Sequence, residues 1–178
     1  MTASPPFTPQ TYLERVYGVL FLPAETFASL RSQPSTLEAA LTVAMVNVLE
    51  SFRRGQDLVG IIGSVIFALL GWAVLCQVLL SLAAIHGRAI PRTVIMTLTG
   101  YASLPWLCVA PALSLPAPWG RLAAIIVMLW FGIWQLWATA VATDIQGLRL
   151  LGLLPLAAIG GALSITWLAG LILLVFSF

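Results

Sequence analysis

LVGIIGSVIFALLGWAVLCQVLLSLAAI, the run from Leu58 to Ile85, decides the fold. An α-helix needs about 20 apolar residues to cross the hydrocarbon of a bilayer. This run exceeds that, which leaves it room to tilt or to project past the hydrocarbon. One amide, Gln77, lies inside it. Working outward, the preceding segment Thr36 to Phe52 has an apolar core from Ala39 to Leu49, interrupted by Asn47 and flanked by Glu38 and Glu50. It only just reaches the length of a span. On the other side a polar break, His86 to Arg92, leads to Thr93–Leu115, where Pro105 should kink or split the helix and Pro111 adds to the irregularity. A turn at Pro116 to Arg121 precedes the tryptophan-rich run Leu122–Thr143, and a short break from Asp144 to Arg149 precedes Leu150–Phe178.

These segments predict an all-α membrane protein with five transmembrane helices, approximately 36–52, 58–85, 93–115, 122–143 and 150–178. Short amphipathic helices precede them. Residues 1–10, rich in Pro, Ser and Thr, read as a flexible start without the basic-then-apolar pattern of a cleavable signal, so the first span serves as its own insertion signal. Across 11–35, Tyr12, Val16, Val19, Leu20, Phe27 and Leu30 recur at helical spacing between charged residues. Pro23 suits a first helical turn and not an interior, so one helix ends near Leu22 and another begins at Pro23. Such helices lie in a membrane interface or pack on the protein's own spans.

Composition agrees with this reading. Of 178 residues, 61% are hydrophobic and 8% charged, against about 25% charged in soluble domains. The eight basic residues are all Arg, and the net charge of +2 is scattered, which excludes a nucleic-acid-binding surface and any polybasic run. Cys76 and Cys108 lie in apolar runs without metal-ligand spacing and read as small hydrophobes. Counting arginines in short loops puts the N-terminus inside for four spans or five, with five residues inside and three outside in each case, so the positive-inside rule does not choose between them.

A few residues carry chemistry. Pro105 removes the backbone donor that would serve the carbonyl of Tyr101, one turn earlier, and Thr97, Thr99 and Ser103 are the nearby hydroxyls. The result is a packing kink or a polar hinge. Trp130, Trp134, Trp137 and Val141 share one helical face, most simply for packing. Gln77, Gln135 and Asn47 are placed to hydrogen-bond between helices, and Ala157 with Gly161 and Gly160 with Ser164 put small residues at close-approach spacing. Asp144 is expected to pair with Arg149 or Arg88. His86, the single histidine, reads as a cap on the second span, with a chlorophyll or haem ligand as the alternative. Zinc-helix, phosphate-loop and nucleophile-elbow motifs are missing, so no enzyme and no cofactor are expected.

Several patterns, in order, resemble the Yip domain family, the Ypt/Rab-interacting membrane proteins. Leu20-Phe21-Leu22-Pro23-Ala24-Glu25-Thr26-Phe27 resembles its pre-membrane motif, with Pro23 and Phe27 in the matching places. Gly87 to Val94, including Arg88, resembles the link before the third span, and Gly100-Tyr101-Ala102-Ser103-Leu104-Pro105-Trp106 resembles its Gly-Tyr…Pro signature. The link from Asp144 to Leu151 also fits. The resemblance implies five spans, a cytoplasmic N-terminus and a C-terminus on the opposite side. The short N-terminal region lacks the extended acidic or Pro-rich arm of the Rab-linked members, so binding of a Rab-type GTPase is not carried over; the chain looks more like minimal bacterial members. The expected function is non-enzymatic, organising or shaping membranes or assisting assembly of membrane complexes through helix contacts. The expected partners are the bilayer and other membrane proteins or copies of itself. A small transporter or lipid-handling protein built on the third span, and an accessory subunit of a pigment-bearing complex, are the alternatives. The membrane itself, bacterial inner or internal, stays open.

Overall fold

The computed structural model describes residues 8–145, 147, 150, 152 and 155–159. Those residues form helices and connecting turns, with no strand among them. α1 (Pro9–Phe21) is capped by the Thr8 hydroxyl and α2 (Pro23–Ser32) starts on Pro23 itself, because a missing N–H is harmless in a first turn. α3 (Thr36–Arg53) begins under the Ser35 side chain and α4 (Leu58–Ile85) under Asp57. The four residues between α3 and α4, with Gly55 at φ +66°, make them a helical hairpin in which the Ser51 and Ser64 hydroxyls meet at 2.5 Å.

The third apolar segment does not form one kinked helix. α5 (Arg92–Tyr101) stops, a 3-10 turn (Leu104–Cys108) follows, and α6 (Val109–Leu113) resumes. Pro105 and Pro111 remove two N–H donors from the continuous ladder, and the chain rewinds locally. α7 (Trp119–Thr143) ends at Asp144, whose left-handed backbone (φ 54°) stops the helix. Of the last predicted span, only residues 150, 152 and 155–159 are described; they are helical, and Ala157 is buried.

α5 is the centre. It packs against α2, α3, α4 and α7, and Val94, Ile95 and Thr97–Tyr101 are all buried. Gly100 permits this, since a Cβ there would come 2.7 Å from Cβ of Ala39. Around α5 the core gathers Val19, Phe27, Leu30, Leu79, Leu104 and Ala138. The outside is apolar instead: Val59, Ile62, Ile66, Phe67 and Leu70 on α4, and Ile125, Ile126, Leu129 and Ile133 on α7, face away from the protein. Three stretches, Leu58–Ile85, Arg92–Leu113 and Trp119–Thr143, are long and apolar enough to cross a membrane. Exposed apolar side chains over a polar-seamed interior match a bilayer as solvent.

Candidate functional site

The densest polar chemistry lies inside. Arg15 of α1 donates from Nη1 to Oε2 of Glu38 at 2.7 Å, and the Tyr101 hydroxyl donates to the same oxygen at 2.6 Å. The side chains of Arg15 and Glu38 are only 12% and 8% exposed. Arg15 also reaches Gln33 at 3.4 Å, and Tyr12 meets the Thr42 hydroxyl at 3.0 Å beside the Tyr101 ring. One carboxylate therefore joins α1, α3 and α5. Charged partners inside a protein are tolerated when the pair is complete and hydrogen-bonded, as here. Sequence reasoning placed Glu38 at a span end and gave Arg15 no partner. The only signal was an acid standing beside an apolar run.

A second polar node sits deeper on α5. The Thr99 hydroxyl accepts from Trp72 Nε1 at 3.0 Å and lies 3.2 Å from Cys76 Sγ, while the Thr99 carbonyl accepts from Gln135 Nε2 at 3.1 Å. Oε1 of Gln135 is buried without a partner among the described residues. None of the three hydroxyls near Pro105 serves the Tyr101 carbonyl: Thr97 donates to Thr93 O, Thr99 to Ile95 O and Ser103 to Gly100 O. Pro105 itself is buried in the 3-10 turn. α5 has already ended there, and the chain turns through bonds from Ser103 N to the Gly100 carbonyl and from Trp106 N to the Ser103 carbonyl.

On the tryptophan face of α7, Trp134 packs against the N-terminal helices while Trp137 remains exposed. Trp134 Nε1 donates to the Val19 carbonyl at 2.8 Å, Trp130 and Trp137 flank it edge-on, and Phe27 packs edge-on to Trp137. Pro23 starts the helix that carries Phe27, which is fully buried.

At one end of the bundle, Arg31 grips Asp144 through two bonds, 2.8 and 2.6 Å. This corrects the expected pairing of Asp144 with Arg88; the other candidate, Arg149, lies outside the described residues. Arg31 wins because α2 ends beside the terminus of α7, and the left-handed turn at Asp144 presents the carboxylate to it. The hydrogen bonds from Arg31 hold the Asp144 carboxyl below its usual range, with Arg88 adding to the effect, and Asp144 raises Arg31 in return. The Arg88 guanidinium makes no hydrogen bond or ion pair among the described residues; its backbone N–H donates to the Ala83 carbonyl at 3.0 Å. His86 is exposed, and its Nδ1 lies 2.8 Å from the Leu82 carbonyl, a cap on α4.

Within the chain, Gln77 makes no bond to another helix among the described residues. Its side chain faces outward from α4 beside exposed Ser81, whose hydroxyl donates to the Gln77 carbonyl at 3.0 Å. Among the described residues no group of three or more His, Cys, Asp or Glu is arranged to hold a metal ion. No family model matches the chain, and neither does any curated protein or solved structure.

Proposed function

We propose that the chain is a five-span, Yip-type integral membrane protein with a cytoplasmic N-terminus, which organises membrane components through helix contacts and catalyses no reaction. The observation that carries this reading is the outer face of α4. It is apolar along Val59, Ile62, Ile66 and Leu70 and then presents Gln77 and Ser81. Gln77 is eight residues from the end of α4, about 12 Å along the axis, so on a spanning α4 it lies inside the hydrocarbon. An amide there gains most from another amide, since it both donates and accepts. Two copies related by a two-fold axis satisfy each other.

Two observations support α3 as a further span. Its acids do not face lipid as free charges: Glu38 is bonded within the protein, and Glu50 bonds Arg53 and Arg54 at the far end. Asn47 donates to the carbonyl of Val43 at 2.8 Å. Labelling a cysteine introduced at Gln56 from the outer side tests the arrangement; reaction only from the cytoplasmic side refutes it.

The test of the helix-contact reading is association in lipid. Fluorescently tagged chains reconstituted together should show energy transfer that rises with protein-to-lipid ratio and saturates. Gln77→Leu should weaken that association about fivefold, as expected for an interhelical bond of about 1 kcal/mol. Transfer that never exceeds random proximity, in wild type and variant alike, removes α4 as a contact face.

An observation on α1 favours membrane shaping as the form this organisation takes. Its inner face is buried, yet Leu13, Tyr17, Phe21 and the following Leu22 point outward. Tyr17 and Phe21 stack at 4.6 Å. A helix apolar on two faces at one end of a bundle widens that end, and aromatic residues prefer the interface.

A further inference from the structure

The sequence has no polybasic run, but folding assembles a small basic site. The end of α2, the link between α4 and α5, and the end of α7 enclose a cleft of about 440 Å³. Arg31, Arg88 and Asp144 line its polar side, with Gly87, Pro91 and Val94 completing it. Two guanidinium groups thus face one carboxylate. Arg31 is committed to Asp144. Arg88 is near enough to Asp144 to help hold its carboxyl below the usual range, yet is not bonded to it. Its planar set of donors is open to a ligand and suits two oxygens of a phosphate. No side chain caps the first turn of α5, so its amide end adds a favourable dipole at the same place.

Arg88 also borders a second hollow, of about 500 Å³, formed by Leu80 and Ala84 of α4 with Ala89, Ile90 and Pro91. That groove is apolar and runs onto the outward side of α4. A charged head site joined to an apolar groove by one arginine matches a molecule with an anionic head and a hydrocarbon tail. Inorganic phosphate would use only half of it.

We propose that this cleft binds the phosphate of an anionic phospholipid, held chiefly by Arg88 with Arg31 beside it, while an acyl chain lies in the groove on α4. Arg31 already neutralises Asp144, so the ligand's charge is met by Arg88. The phosphate site at Arg88 is separate from the self-association proposed at Gln77, which lies 11 residues before Arg88 in the chain, although Leu80 of the groove is under one turn from Gln77.

Purified protein in nanodiscs of phosphatidylcholine, and in discs where part of that lipid is phosphatidylglycerol, provides the test. Native mass spectrometry of lipids retained after release, together with the melting temperature in each disc, reads the binding. Wild type should retain phosphatidylglycerol over phosphatidylcholine about tenfold, and melt higher in its presence. Arg88→Gln should abolish both effects while melting like wild type in pure phosphatidylcholine, because the Arg88 guanidinium holds nothing in the fold. Arg121→Gln removes the same charge from exposed Arg121 at the start of α7 and should leave the preference intact. Equal loss in both variants would show general charge attraction and overturn the site. Stabilisation by inorganic phosphate in phosphatidylcholine discs equal to that by phosphatidylglycerol would overturn the lipid assignment.

Discussion

Glu38→Gln isolates the interior ion pair with almost no change of shape. In the native protein Glu38 accepts from Arg15 at 2.7 Å and Tyr101 at 2.6 Å, with both charged side chains almost fully enclosed. The glutamine oxygen can still accept from both donors, so the geometry survives and only the counter-charge goes. Arg15 is then a buried cation without compensation. Breaking a buried pair from one side costs about 3–5 kcal/mol. The retained neutral bonds put this variant at the lower end, about 3 kcal/mol, a shift on the order of a hundredfold in the folding constant. Replacing both residues by methionine removes the cost of the stranded charge, and a well-packed apolar pair is often neutral relative to the ion pair. The double variant should therefore be more stable than the single variant Glu38→Met, with a coupling of about 2 kcal/mol. Reversible unfolding in mixed detergent micelles, followed by helical circular dichroism, measures all of these. Glu38→Gln within about 1 kcal/mol of wild type, or strictly additive single variants, would show a solvated, weakly coupled pair and refute the reasoning.

Two further outcomes follow from the packing and from the end of the bundle. Gly100→Ala should destabilise by about 1–3 kcal/mol, because the new Cβ meets Cβ of Ala39 at 2.7 Å and its Cα and carbonyl oxygen at 3.1 Å; a wild-type melting temperature would show that α3 does not approach α5 so closely. The bond between α2 and α7 should depend on pH only in acid. Arg31 lowers the Asp144 carboxyl, so its contribution is full above the unfolded carboxylate value of about 3.9 and is lost as pH falls through the lower folded value. Spin labels at Ser32 and Ala140 of α7 should keep one distance from neutral pH down to about 3.9 and broaden only below it; a transition centred near pH 6 would point to a different group.

What the sequence made legible was local. Apolar runs and proline punctuation mark where helices begin and end: the break between Phe21 and Pro23, the hairpin turn before Leu58, and the interruption at Pro105 all have their cause within a few residues. Direction was less legible. α4 is apolar on every side, so periodicity gives it no inward face, and nothing in the run marks Gln77 as turning outward from the chain. Long-range pairing was not legible at all. Arg31 and Asp144 are 113 positions apart and Arg15 and Glu38 are 23 apart. Nothing in either neighbourhood distinguishes those partners from Arg88 or Arg149.

That difference bears on what α1 and α2 are. By pattern they suit the surface of a membrane as well as the surface of a bundle. Their polar groups argue for the bundle. Arg15 is spent on Glu38, Arg31 on Asp144, and the Val19 carbonyl on Trp134. A helix merely resting in an interface would turn its charges to water and its apolar side to lipid. α1 instead turns a charge inward and keeps Leu13, Tyr17 and Phe21 outside. Burying Arg15 is favourable only because Glu38 and Tyr101 wait for it on α3 and α5. The interior carboxylate is thus the reason the N-terminal hairpin belongs to the bundle, and it leaves Leu13, Tyr17 and Phe21 of α1 exposed on the outside.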